Sequence, residues 1–152
     1  MKAGKYLIFI CLAIVSSCTR PPSDEKFIVR EKAEYGDTYP FELDLTDTTF
    51  AYGISLFARI EKEPFGSFRS DSLKLCLSWI SPAMEILQDT MYMDLSSHCD
   101  SSYFARDYIF PLPGASFPED PGVWRLKVKV PDHPEHLNGV GVILKRNAHG
   151  TR

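Results

Sequence analysis

Residue types capable of covalent, acid–base or metal chemistry are sparse along this 152-residue chain, which has four cysteines and four histidines. Ser97, His98 and Asp100 offer the side chains of a hydrolase triad, but a fold assembles a triad from separated segments, and no Gly-x-Ser-x-Gly elbow is present. His98 stands among Ser96, Ser97, Ser101 and Ser102 and reads as a loop histidine. His133 and His136 have the spacing that puts two imidazoles on one side of a helical turn. Two ligands do not hold a metal, and the Glu of a zinc-peptidase motif does not accompany them. Glu61, Glu63, Asp107, Glu119 and Asp120 are the carboxylates a glycosidase pair would draw on, a chemistry that needs two of them across a cleft. There is no phosphate-cradling glycine loop or dinucleotide fingerprint. The expectation is a non-enzymatic protein with no catalytic residues, no metal and no cofactor.

One cysteine stands in a context that dictates a reaction. Lys2 and Lys5 precede the apolar run Tyr6 to Val15, which is ten residues long. A bilayer-spanning helix needs roughly 20 apolar residues, so residues 1–17 read as an export signal rather than a permanent anchor. The run ends in Val15-Ser16-Ser17-Cys18, which resembles the lipobox of bacterial lipoproteins: a branched apolar residue, two small residues that let a signal peptidase hold extended backbone, and an acceptor cysteine. The Cys18 thiol is expected to receive a diacylglyceryl group, and its amine a further acyl chain after cleavage. At about 0.8 kcal/mol per buried methylene, several chains form a lasting anchor. Cys11 then belongs to the discarded peptide. Loss of Lys2 and Lys5 leaves 15 basic against 20 acidic residues, a side-chain charge of −5, so no polybasic patch assists the anchor. The same balance, with a pI near 5.8, excludes the basic footprint of a nucleic-acid binder. Thr19 replaces the Asp that retains many lipoproteins in the inner membrane, which favours the outer membrane; the acidic pair Asp24-Glu25 in the polar tether leaves both its periplasmic face and the cell surface open.

Cys76 and Cys99 remain for the folded body. In an oxidising compartment they either form a bridge closing a loop of about 24 residues or stay as two thiols. Aromatic residues crowd the turns, and the segment Tyr103, Phe104, Arg106, Tyr108 and Phe110 is the richest candidate for a partner surface, with Arg106 as its polar anchor. The same aromatics are what a glycan or other small-ligand module would use, and they also suit lids over the ends of a small core.

The elements that must carry these residues follow a period of two. Tyr39, Phe41, Leu43 and Leu45 alternate with polar residues, as do Ile54, Leu56, Ala58 and Ile60, then Leu73, Leu75, Leu77 and Trp79. Met91, Met93 and Leu95, then Trp124, Leu126, Val128 and Val130, and finally Val140, Val142 and Leu144 repeat the pattern. Proline and glycine punctuate the connections. Strands without amphipathic helices between them predict an all-β antiparallel sandwich, immunoglobulin-like or jelly-roll-like, with at most one short helical turn at Asp132 to Leu137. The expected division is a signal at 1–17, a lipidated tether at 18–26, a sandwich at 27–146 and a flexible tail at 147–152.

Strand Tyr39 to Leu45, Ile54 to Arg59, the Pro64-Phe65 turn and Leu73 to Leu77 form an order that continues with Tyr108-Ile109-Phe110-Pro111, Gly122-Val123-Trp124-Arg125-Leu126 and Leu137-Asn138-Gly139-Val140-Gly141-Val142. With the lipobox, this order resembles the GldH family of gliding motility-associated lipoproteins from Bacteroidota, over about Tyr39 to Arg146. The resemblance implies an outer-membrane lipoprotein tied to gliding or to envelope machinery that exports surface proteins, acting through protein partners. It transfers Cys18 as a functional position and supplies no catalytic residue.

Overall fold

A computed structural model of the chain describes residues 23–62, 71–96, 99–102, 104–114, 118, 120–132, 134 and 136–148. Nine strands are formed: β1 (Ser23–Val29), β2 (Thr38–Asp44), β3 (Phe50–Glu61), β4 (Ser72–Ile80), β5 (Ile86–Asp94), β6 (Cys99–Ser101), β7 (Ala105–Pro111), β8 (Val123–Lys129) and β9 (Leu137–Ala148). One sheet has the order β1-β9-β3-β7-β6 and the other β2-β8-β4-β5.

The predicted all-β sandwich is therefore present, and its connectivity selects between the two expected forms. Antiparallel pairs β1·β9, β2·β8, β3·β7 and β4·β5 are the rungs of one long hairpin, folded so that β9 also pairs with β3 and β8 with β4. That wrapping is a jelly roll, with β6 added as a short edge beside β7. It places the β2–β3, β4–β5 and β7–β8 connections at one end of the sandwich, together with Ser23 and the end of β9. We call this end proximal; the opposite, distal end carries the β1–β2, β3–β4 and β8–β9 connections.

The inward residues of the period-two runs meet between the sheets. Tyr39, Leu56, Leu75, Leu126, Val128, Val140 and Val142 are fully buried, and at roughly 1.5–3 kcal/mol for each large apolar side chain they dominate the stabilisation. Two large polar-tipped residues share this core: Tyr39 Oη and Trp79 Nε1 have no hydrogen-bond partner among the described residues. Burial pushes the Tyr39 phenol above its ordinary pKa, and nearby Arg30 partly offsets this. Trp124 instead donates to the Asp120 carbonyl at 3.0 Å.

Two expectations are corrected. Strand β1 begins at Ser23, inside the segment read as tether, because an edge strand pairs through its backbone and tolerates Ser23, Asp24, Glu25 and Lys26 without apolar alternation. At the other terminus β9 continues past Arg146 to Ala148, which pairs with Phe50. In the segment Asp132 to Leu137, where a helical turn is expected, His133 and Glu135 lie outside the described residues; the Leu137 N–H donates to the Pro134 carbonyl at 3.0 Å, and Leu137 already opens β9. A 3-10 turn occurs at Arg30–Lys32, where no sequence signal had been read.

Candidate functional site

The aromatic segment singled out in the sequence is strand β7, and strand geometry divides it. Arg106, Tyr108 and Phe110 lie on its inward side, whereas Asp107 and Ile109 lie on the outward one. Tyr108 is a core residue and Phe110 packs partly buried against the core, so neither belongs to a surface. Phe104, just before the strand, is 75% exposed, and Arg106 is exposed. Tyr103 lies outside the described residues, as does Cys18. The four described residues do not form one patch.

Cys76 is a free cysteine. It sits in β4 between the buried Leu75 and Leu77, so its thiol points away from the core, where Thr90 Oγ1 donates to it at 4.0 Å. Cys99 belongs to β6 in the other sheet. Packed sheets stand about 10 Å apart, and a thiol on the outer face of one has no path to the other, so the bridge is not formed. Of the paired histidines, His136 is half-buried and His133 lies outside the described residues. Among the described residues no three His, Cys, Asp or Glu side chains converge as a metal site, and no helix is long and apolar enough to cross a membrane.

The outer face of the five-stranded sheet holds an arrangement that alternation conceals. Phe57 points outward, yet it is only 1% exposed. It lies opposite Gly141, on which a Cβ would stand 2.1 Å from the Phe57 ring, and it stacks on Phe27 with centroids 5.7 Å apart. The Arg59 guanidinium covers Phe27 at 4.7 Å and grips Asp107 with two hydrogen bonds of 2.7 Å. That hydrogen bonding pushes the Arg59 pKa up, against a smaller opposing effect of burial. Arg59 and Asp107 face each other across β3 and β7, so the pair locks these strands and lids a second, small apolar layer. Gly139 and Gly141, on which a Cβ would meet Phe27 and Phe57, are the sequence signal for it.

The remaining chemistry is that of unpaired backbone. In the four-stranded sheet the Leu95 N–H donates to the Asp71 carbonyl and the Ser81 N–H to the Glu85 carbonyl, both at 2.9 Å. Continued through the register between those bonds, the odd residues Leu87, Asp89, Met91 and Met93 bond to β4. The even residues Ile86, Gln88, Thr90 and Tyr92 consequently aim their N–H and C=O groups at the open edge. Asp89 accepts the Thr90 N–H through its carboxylate at 2.8 Å. Side chains on this strand are exposed to an extent unusual for a β-strand: Ile86 63%, Leu87 56% and Tyr92 61%. An edge of nine residues without Pro or Lys is a template for strand addition.

No family model, no curated protein and no solved structure matches this chain.

Proposed function

We propose that this chain is a non-catalytic, lipid-anchored accessory protein of the bacterial outer membrane, held by acylated Cys18, that joins an envelope protein by strand addition along β5. Its setting is gliding motility or the associated protein-export machinery, a reading supported by the resemblance in strand order and lipobox. The observation that carries the partner contact is the open edge of β5, whose even residues offer backbone groups in an exposed, partly apolar strand. The aromatic residues of β7 no longer compete for this role, since Tyr108 and Phe110 are packed inside.

Two measurements test the two halves separately. Cys18→Ala should move the protein from the membrane to the soluble fraction; a variant that still fractionates fully with the outer membrane removes the anchor. A photoreactive side chain in place of Tyr92 should crosslink one defined envelope protein in intact cells. Equal labelling of that protein from Tyr35, at the distal end, would remove the β5 contact.

A further inference from the structure

Among the described residues the proximal end carries the larger group of exposed apolar side chains, four against Tyr35 and Phe104 at the distal end. Met84 is 71% exposed, and Ile86 and Leu87 follow it at the start of β5, with Val123 at 44% on β8. Met84 occupies the third position of the β4–β5 hairpin turn with φ 67°, a left-handed conformation normally left to Gly or Asn. The turn is well determined: the Met84 N–H donates to the Ser81 carbonyl at 2.9 Å, and the Glu85 N–H to Ser81 Oγ at 3.0 Å. Pro82 lies so close to Gly122 that a Cβ there would come within 2.5 Å of its ring, which ties the hairpin to the β7–β8 connection. A bulky apolar side chain is thus held outward at a position where the backbone itself disfavours one.

The chain reaches the sandwich at this same end. Thr19, Arg20, Pro21 and Pro22 are the four residues between Cys18 and Ser23, and a fully extended chain covers at most about 18 Å over that interval. An acyl group on Cys18 therefore leaves the proximal end no room to stand far from the bilayer. Charge does not drive the approach, because Arg125, Lys145 and Arg146 stand at this end beside Asp24, Asp44, Asp47, Glu85 and Asp120.

We propose that the proximal end, centred on the Met84 hairpin, rests on the membrane that holds Cys18, with Met84, Ile86, Leu87 and Val123 at the boundary between headgroups and acyl chains. This rests on the lipidation reading above. The domain is then oriented as well as tethered, with β5 rising from the surface and the distal end facing away.

The test uses the full lipidated protein in phosphatidylethanolamine–phosphatidylglycerol vesicles, with and without brominated acyl chains. Met84→Trp and Val123→Trp are the reporters, Tyr35→Trp is the distal control, and the signal of Trp79 and Trp124 is subtracted using unsubstituted protein. Bromolipid should quench the added emission about twofold or more at positions 84 and 123 and leave position 35 unchanged. Protein that floats with the vesicles while both proximal reporters remain as unquenched as position 35 overturns the proposal. So does shielding of the proximal reporters from aqueous quencher in native outer membranes but not in vesicles, because the covering partner is then a protein. Flotation of Cys18→Ala reports on the anchor independently: if that variant floats as fully as the parent, the lipidation reading has failed, whatever the quenching shows.

Discussion

The two edges of the four-stranded sheet are built on opposite plans. On β2 the Leu45–Gly122 and Val130–Asp37 backbone bonds show that odd residues pair with β8, so Thr38, Pro40, Glu42 and Asp44 face the open side. The first three are blunted. Glu34 takes both backbone groups of Thr38 at 3.0 and 2.7 Å, Pro40 has no N–H, and the Lys26 ammonium caps the Glu42 carbonyl. On β5, among the described residues from Ile86 to Tyr92, the corresponding positions have one local cap, the Asp89 carboxylate on the Thr90 N–H. Proteins ordinarily blunt strand edges because an open edge recruits other chains. A sheet that blunts one edge with three different devices and, among the described residues, leaves Ile86 to Tyr92 of the other exposed has a preferred side for a partner.

Proline substitution in β5 gives the largest test of this contrast. Leu87→Pro removes an N–H that bonds to Trp79 in β4 and should cost about 3 kcal/mol or more, seen as a lowered midpoint in urea. Gln88→Pro, one residue on, removes an N–H aimed at the open edge. Stability should fall by about 1 kcal/mol or less, while crosslinking from position 92 should be lost. If the two variants were equally destabilised, the assignment of the open edge to even residues would be wrong. At the hairpin that leads into β5, Met84→Gly should raise stability by about 1 kcal/mol, because glycine relieves the left-handed conformation; an unchanged thermal midpoint would mean that the turn carries no strain. Smallest is Lys26→Met, which opens β2 by uncapping Glu42 and should cost about 0.5–1 kcal/mol. Its diagnostic signature is faster amide exchange confined to β2, and exchange as slow as in the parent would show that β2 is closed without Lys26.

Much of this sheet could be anticipated from alternation. The inward sets Tyr39, Phe41, Leu43 and Leu73, Leu75, Leu77, Trp79 are buried as read, because successive Cβ atoms in any strand point to opposite sides. The candidate surface on β7 misled for a related reason. Aromatic density drew attention to Tyr108 and Phe110, but the period-two rule had not been applied there, and it sends both inward. Phe57 is the converse: alternation correctly turns it outward, yet Phe27, Arg59 and the glycines of β9 bury it there. β1 escaped notice since an edge strand needs little apolar character.

What linear order could settle is local: which side chains share a strand face, and where proline and glycine interrupt. What required the assembled fold is every property that depends on a distant neighbour. The choice of jelly roll over immunoglobulin order, the separation of Cys76 and Cys99 into different sheets, the clamp of Arg59 on Asp107 and the openness of β5 all turn on which strands pair. Strand pairing joins segments tens of residues apart through backbone groups that nearly every residue type possesses, and for that reason side-chain sequence specifies it only collectively.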